Sequence, residues 1–194
     1  ALVACNQLWG LGLTLEQLCQ IGRTLGADVP ACIMGGMTLG QGRGDRLTSL
    51  LDPDQSLWPC HYWVMARAHH GLSTPEVFRT LDQLREGGVP AQLSDAERAA
   101  LCADADTLAS VLCNDLTAPA LHLYPELATT IHDAKDAGAC AVILSGSGPT
   151  IAVLARSREH ADELAEALQT SSEVSAVLPT SGPAVGAIVE EEES

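Results

Sequence analysis

The chain reads as an α+β protein of the split β-α-β kind, with helices on one face of an antiparallel sheet. Three observations predict this. Residues 61–68 form an apolar run that suits a buried strand, and capped helical stretches follow it. Near residue 139 the hydrophobic period changes from about 3.6 residues to 2. Residues 139–144 and 150–154 then read as two strands joined by the turn Gly146-Ser147-Gly148. The order strand, helix, helix, strand, strand, helix, strand completes the pattern.

Taken in order, Thr14 with Gln17 makes a capping-box start. Leu18, Ile21 and Leu25 share the apolar face of the helix that follows, and Gly26 suits a left-handed cap at its end. Residues 31–51 alternate short apolar pieces with Gly35, Gly36, Gly40, Gly42 and Gly44, which fits a strand pair or hairpin better than a helix. Gly40-Gln41-Gly42-Arg43-Gly44 has the glycines of a nucleotide loop without the strand-to-helix context. The third glycine of G-x-G-x-x-G falls on Asp45, so the nucleotide loop is rejected. A turn at Asp52-Pro53 leads into the strand at 61–68. Ser73 with Glu76 makes a second capping box, with Pro75 in the first turn of a helix over about 74–85. Gly87-Gly88-Val89-Pro90 breaks the chain, a polar helical region runs from Ser94 to Asn114-Asp115-Leu116, and helical periodicity continues through 127–137. Ser157 opens a helix whose Ala161, Leu164, Ala165 and Leu168 share a face, and residues 174–178 read as the closing strand.

Composition narrows the function. With 25 acidic against 10 basic side chains the formal charge is −15, which opposes binding to a nucleic-acid backbone. Residues 190–194 form an acidic tail, expected to be a solvated end. Lys135, the sole lysine, lies between Asp133 and Asp136 and is expected in a surface ion pair. The seven cysteines are odd in number and widely spaced, with no C-x-x-C pair, and read as buried reduced thiols. His69 and His70 are adjacent, so on a strand they point to opposite faces, and no metal ligand is assigned. No run approaches the ~20 apolar residues of a membrane span, and a cytoplasmic protein with no membrane or nucleic-acid partner is expected. The chain opens on Ala1, and residues 1–9 read as the continuation of a helix begun earlier, so an upstream segment is expected.

Two stretches carry candidate chemistry. In Gly26-Ala27-Asp28-Val29-Pro30 a turn holds the Asp28 carboxylate. It either accepts hydrogen bonds from nearby backbone N–H groups or stands against a substrate hydroxyl as the catalytic base of a phosphoryl transfer. In the turn at 145–150, Gly146, Ser147 and Gly148 offer backbone N–H groups with small polar neighbours, suited to a hairpin alone or to an anion held close. Phe78, the one phenylalanine, suits core packing or stacking on a nucleobase.

Leu25-Gly26-Ala27-Asp28-Val29-Pro30, residues 35–44, Leu72-Ser73-Thr74-Pro75-Glu76-Val77-Phe78 and Leu144-Ser145-Gly146-Ser147-Gly148-Pro149-Thr150 together resemble the GHMP kinase superfamily. Within it the likeness is to the kinases acting on a cytidine-diphosphate-linked methylerythritol, in an actinobacterial-looking version. It extends to about Thr180. The resemblance implies a two-lobed fold: residues 1–52 as a remnant of an N-terminal S5-like, ATP-binding lobe and residues 53–189 as a C-terminal ferredoxin-like lobe. It implies ATP-dependent phosphorylation of the 2-hydroxyl of that small-molecule substrate, in non-mevalonate isoprenoid precursor biosynthesis. Asp28 matches the catalytic aspartate, Thr74 and Phe78 match substrate-binding positions, and Gly146, Ser147 and Gly148 match the cofactor-side glycine loop. The family's catalytic lysine and phosphate loop have no match here. ATP and Mg2+ are therefore expected to be held mainly outside this stretch, and the chain alone is expected to be inactive or nearly so. Another GHMP small-molecule kinase, or a non-catalytic ferredoxin-like ligand-binding module, are the alternative readings.

Overall fold

The computed structural model describes residues 1–51, 59–85 and 93–190. The turn at Asp52-Pro53, the break at Gly87-Gly88-Val89-Pro90 and Glu191 to Glu193 of the acidic tail lie outside the described residues. Two compact units emerge: Ala1–Trp58 with Pro183–Ser194, and Pro59–Gly182. A boundary drawn after residue 52 differs from this division in one main respect, because the chain from Pro183 onward runs with the first unit.

In the first unit α1 (Leu2–Leu8) and α2 (Leu15–Leu25) lead into α3 (Val29–Met34). The Thr14 capping box forms as the sequence predicts, with Thr14 accepting from the Gln17 N–H and Gln17 returning to the Thr14 N–H. The apolar face of α2 differs. Leu18, Cys19 and Gly22 are buried, while Ile21 and Leu25 are exposed. Gly22 decides this: a Cβ there would stand 2.9 Å from Val29 Cγ1 and 3.3 Å from Ile33 Cδ1, so its bare backbone admits α3. Gly26 is not a left-handed cap; it is extended at φ 176°. Its carbonyl accepts the Val29 N–H, so the chain re-enters a helix at once. Residues 29–34 are accordingly helical and not part of the glycine-rich strand pair, with Pro30 in the first turn, where a missing N–H costs nothing. The hairpin itself is present as β1 (Thr38–Gln41) against β2 (Arg46–Ser49), paired Gln41 to Arg46, with Gly42 and Gly44 at positive φ in the loop. The segment beyond Pro183 returns to α3 through the Gly36 N–H to the Ala184 carbonyl and the Ala187 N–H to the Cys32 carbonyl. A Cβ on Gly35 would lie 2.0 Å from the Gly186 nitrogen, so both glycines are needed for this close backbone approach.

The second unit is a ferredoxin-like sheet with added helices. Strands β3 (His61–Ala68), β4 (Ala141–Leu144), β5 (Thr150–Ala155) and β6 (Val174–Gly182) lie in the order β4-β5-β3-β6, all antiparallel. The register places Val142, Val153 and Val64 in one row across the sheet and Leu144, Ile151 and Ala66 in the next. These rows belong to the main core with helical residues Ala120, Leu127, Ala134, Leu164 and Leu168. Helix α9 (Arg158–Leu168) buries the predicted face of Ala161, Leu164, Ala165 and Leu168. Each fully buried leucine contributes about 1.5–3 kcal/mol. Strand β6 runs past the predicted end at 178. Pro179 is tolerated because β6 is an edge strand, where one face of the ladder has no partner to lose.

Between β3 and β4 lie α4 (Thr74–Leu84), α5 (Asp95–Leu101), α6 (Ala105–Ala109), α7 (Thr117–Leu123) and α8 (Leu127–Asp136). The box predicted at Ser73 does not form. The Ser73 carbonyl accepts both the Glu76 and Val77 N–H groups in a tightened first turn, and its hydroxyl caps nothing. A full box stands instead at Ser94 and Glu97. Lys135 makes no ion pair among the described residues, because neighbours at one and two positions point elsewhere on a helix. Asp136 takes His132 at 3.4 Å, and Asp133 accepts the Ser171 hydroxyl. All seven cysteines are free thiols, but only Cys19 is buried, and Cys32, Cys60 and Cys113 are exposed. Among the described residues no helix is long and apolar enough to cross a membrane.

Candidate active site

The turn between β4 and β5 is built for tight curvature. Gly146 at φ 58° and Gly148 at φ 79° take backbone conformations that side chains disfavour. The Ser145 N–H donates to the Thr150 carbonyl and the Gly148 N–H to the Ser145 carbonyl, both at 2.9 Å. Those two bonds close the turn. Among the described residues the N–H groups of Gly146 and Ser147 have no protein acceptor, so the turn holds two adjacent unused donors.

Helix α4 meets this turn. Thr74, its first residue, shares a hydrogen bond with Ser147 across 2.8 Å between the two hydroxyl oxygens. Phe78 lies one turn further along the same helix face and is 50% exposed, while its neighbour Val77 is fully buried. The core-packing reading of Phe78 is therefore corrected. The helix anchors through Val77 and Thr80 and presents the ring to solvent.

Sequence reasoning missed Asn114. Its amide nitrogen donates to the Leu144 carbonyl at 2.9 Å and the Gly146 carbonyl at 2.7 Å, while its Oδ1 accepts the Leu116 N–H at 2.9 Å. Only the last contact has a local signal, an Asx turn ahead of a helix. The next residue, Asp115, pairs with Arg85 at the C-terminal end of α4. The structure thus brings together Thr74, Gly146, Ser147 and Gly148 and places Phe78 one helical turn away.

Asp28 lies in the first unit. It is the residue before α3, in helical backbone geometry at φ −83° and ψ −13°, with an exposed side chain that caps no N–H. A capping aspartate usually stands in extended geometry, which Asp28 does not adopt. Its carboxylate has no hydrogen-bond partner among the described residues, so the turn-capping reading fails.

Residues 91–174 match the family model described as GHMP kinases C terminal. Over 197 aligned positions the chain is 43% identical to a 4-diphosphocytidyl-2-C-methyl-D-erythritol kinase of Nocardia farcinica (strain IFM 10152), covering 100% of this chain and 62% of that protein. Along its length the chain is similar to GHMP kinases. A crystal structure of 4-(cytidine 5'-diphospho)-2C-methyl-D-erythritol kinase superposes with a TM-score of 0.72 at 27% identity, covering 92% of this chain and 60% of the other. L. major mevalonate kinase in complex with R-mevalonate gives a TM-score of 0.69 at 20% identity, covering 95% and 63%. At that identity it supports the shared GHMP kinase fold alone. The chain spans 62% of the length of the Nocardia relative.

Proposed function

We propose that this chain is part of an ATP-dependent GHMP kinase that phosphorylates the 2-hydroxyl of 4-diphosphocytidyl-2-C-methyl-D-erythritol, in cytoplasmic non-mevalonate isoprenoid precursor synthesis. The observation that carries the reading is the 43% identity, along the whole chain, to a relative of that name. The geometry supports it. Thr74, assigned to the substrate, and Ser147, assigned to the glycine loop, are hydrogen-bonded, and a flat ring stands exposed on the same helix.

Phosphoryl transfer passes through a loose transition state, so catalysis rests on positioning and electrostatics. Asp28, exposed and without a partner among the described residues, accepts the proton of the substrate hydroxyl as its oxygen bonds to phosphorus. The Phe78 ring stacks on the cytosine, and the Thr74 hydroxyl orients the substrate. ATP supplies the phosphoryl group. The unused N–H groups of Gly146 and Ser147 suit its phosphate oxygens. For Mg2+ the fit is lacking, since no three His, Cys, Asp or Glu side chains among the described residues gather to hold a metal ion. No step is assigned to it here.

Calorimetric titration with cytidine 5'-diphosphate tests the reading. Binding is expected, with a loss on Phe78→Ala of about 1–3 kcal/mol from the stacking contact. Equal affinity for cytidine and adenosine diphosphates, unchanged by Phe78→Ala, would favour a ligand-binding module without this specificity.

A further inference from the structure

We propose that Asn114 is a positioning residue that sets the direction of the Ser147 N–H, beside that of Gly146, for an anionic, phosphate-bearing ligand. The assignment of the loop to a phosphate rests on the kinase reading, whereas the role of Asn114 in shaping the loop stands on the geometry.

The turn takes positive φ at Gly146 and Gly148. Gly146 is exposed, and nothing lies within 4 Å of where its Cβ would be. Its peptide orientation must therefore be fixed from elsewhere. Asn114 does this by binding the Leu144 carbonyl at the end of β4 and the Gly146 carbonyl inside the turn. The Gly146 carbonyl and the Ser147 N–H belong to one peptide plane, so a donor that pulls the carbonyl toward Asn114 turns the N–H the opposite way. One amide group thus satisfies two backbone acceptors and orients a donor.

Asn114 is itself fixed from two sides. Its Oδ1 accepts the Leu116 N–H ahead of α7, and the adjoining Asp115 is tied to Arg85 at the end of α4. The start of α4 reaches the turn independently through Thr74 and Ser147. The turn is therefore braced by one helix at its first residue and, through Asp115 and Asn114, at its last. A ligand that binds the two N–H groups meets donors already pointed, with little ordering left to lose on binding.

Asn114→Asp and Asn114→Leu are the discriminating pair, the neutral leucine removing the donors without adding a charge that itself repels pyrophosphate. A carboxylate keeps the acceptor for the Leu116 N–H but cannot donate to either carbonyl. The full chain is labelled with 15N and titrated with inorganic pyrophosphate, with amide shifts read at Gly146 and Ser147. In the wild type both signals are expected to move on titration. In both variants the apparent affinity should fall by about ten-fold or more, with signals away from the turn unchanged and a modest drop in the thermal midpoint from the lost hydrogen bonds. Ser147→Ala, which keeps its N–H and loses only the hydroxyl contact, should weaken pyrophosphate binding less. The proposal is overturned if pyrophosphate leaves both wild-type signals unmoved, if Asn114→Leu binds as the wild type does, or if the loss tracks general unfolding. A parallel titration with cytidine 5'-diphosphate separates the two ideas. Pyrophosphate binding that depends on Asn114, with no gain from the cytidine, removes the substrate reading and leaves the positioning role in place.

Discussion

Thr74 Oγ1 and Ser147 Oγ stand 2.8 Å apart, so the first turn of α4 and the β4–β5 turn, separated by 73 positions in the chain, share one hydrogen bond. Exchange of either hydroxyl tests what that bond does. Thr74→Ser keeps the donor and acceptor and should leave stability unchanged. Thr74→Val keeps the shape and removes the bond, at a net cost of about 0.5–1 kcal/mol because the site is exposed. Urea unfolding of both variants measures the difference, and equal midpoints would show that water replaces the contact without loss.

The two turn glycines should respond unequally to alanine. Gly146→Ala meets open space and incurs only the positive-φ penalty of about 1–2 kcal/mol. Gly148→Ala carries the same penalty and also sets a Cβ 2.7 Å from Cδ1 of buried Leu144, so a total of about 2–4 kcal/mol is expected. Denaturant midpoints for the two variants should rank in that order.

His61 at the start of β3 is 4% exposed, and its Nε2 has no hydrogen-bond partner among the described residues. Burial pushes its pKa below the ordinary 6.5, with Asp104 acting weakly in the opposite sense. Above 6.5 both folded and unfolded states hold the neutral ring, and His61 adds no pH dependence. As pH falls below 6.5 the unfolded chain takes up a proton that the folded one refuses, so stability is lost by up to about 1.4 kcal/mol per pH unit until the folded value is reached. His61→Gln should flatten the profile of urea midpoints between about pH 7 and about pH 5. An unchanged slope in that variant would remove His61 as its source.

Asp28 has an exposed side chain that bonds to nothing among the described residues, so Asp28→Asn should shift stability by no more than about 0.5 kcal/mol. In a kinase of the relatives' full length the same change should lower kcat by about 10²–10⁴-fold, the usual worth of a general base, with little effect on substrate KM. Near-normal turnover would take Asp28 out of the mechanism.

Signals confined to a few neighbouring residues were legible. The Thr14–Gln17 box, the α9 face of Ala161, Leu164, Ala165 and Leu168, and the β4–turn–β5 hairpin all follow from spacing within one element. The misreadings came where a second element intervened. Leu18, Ile21 and Leu25 make an acceptable helix face, but α3 packs at Gly22 and turns Ile21 and Leu25 outward. Ser73 and Glu76 have box spacing, but a tightened first turn takes the bonds the box would use.

By itself the sequence determined the α+β order, the hairpins and most helix starts, because propensity, capping and periodicity act over a few residues. Tertiary structure alone decided that Thr74 meets Ser147, that Asn114 holds the Gly146 carbonyl, and that Gly35 and Gly186 let two backbones touch. In each case the partner lies at least 30 positions away. Nothing in the local chain specifies it until sheet register and helix packing bring the two together.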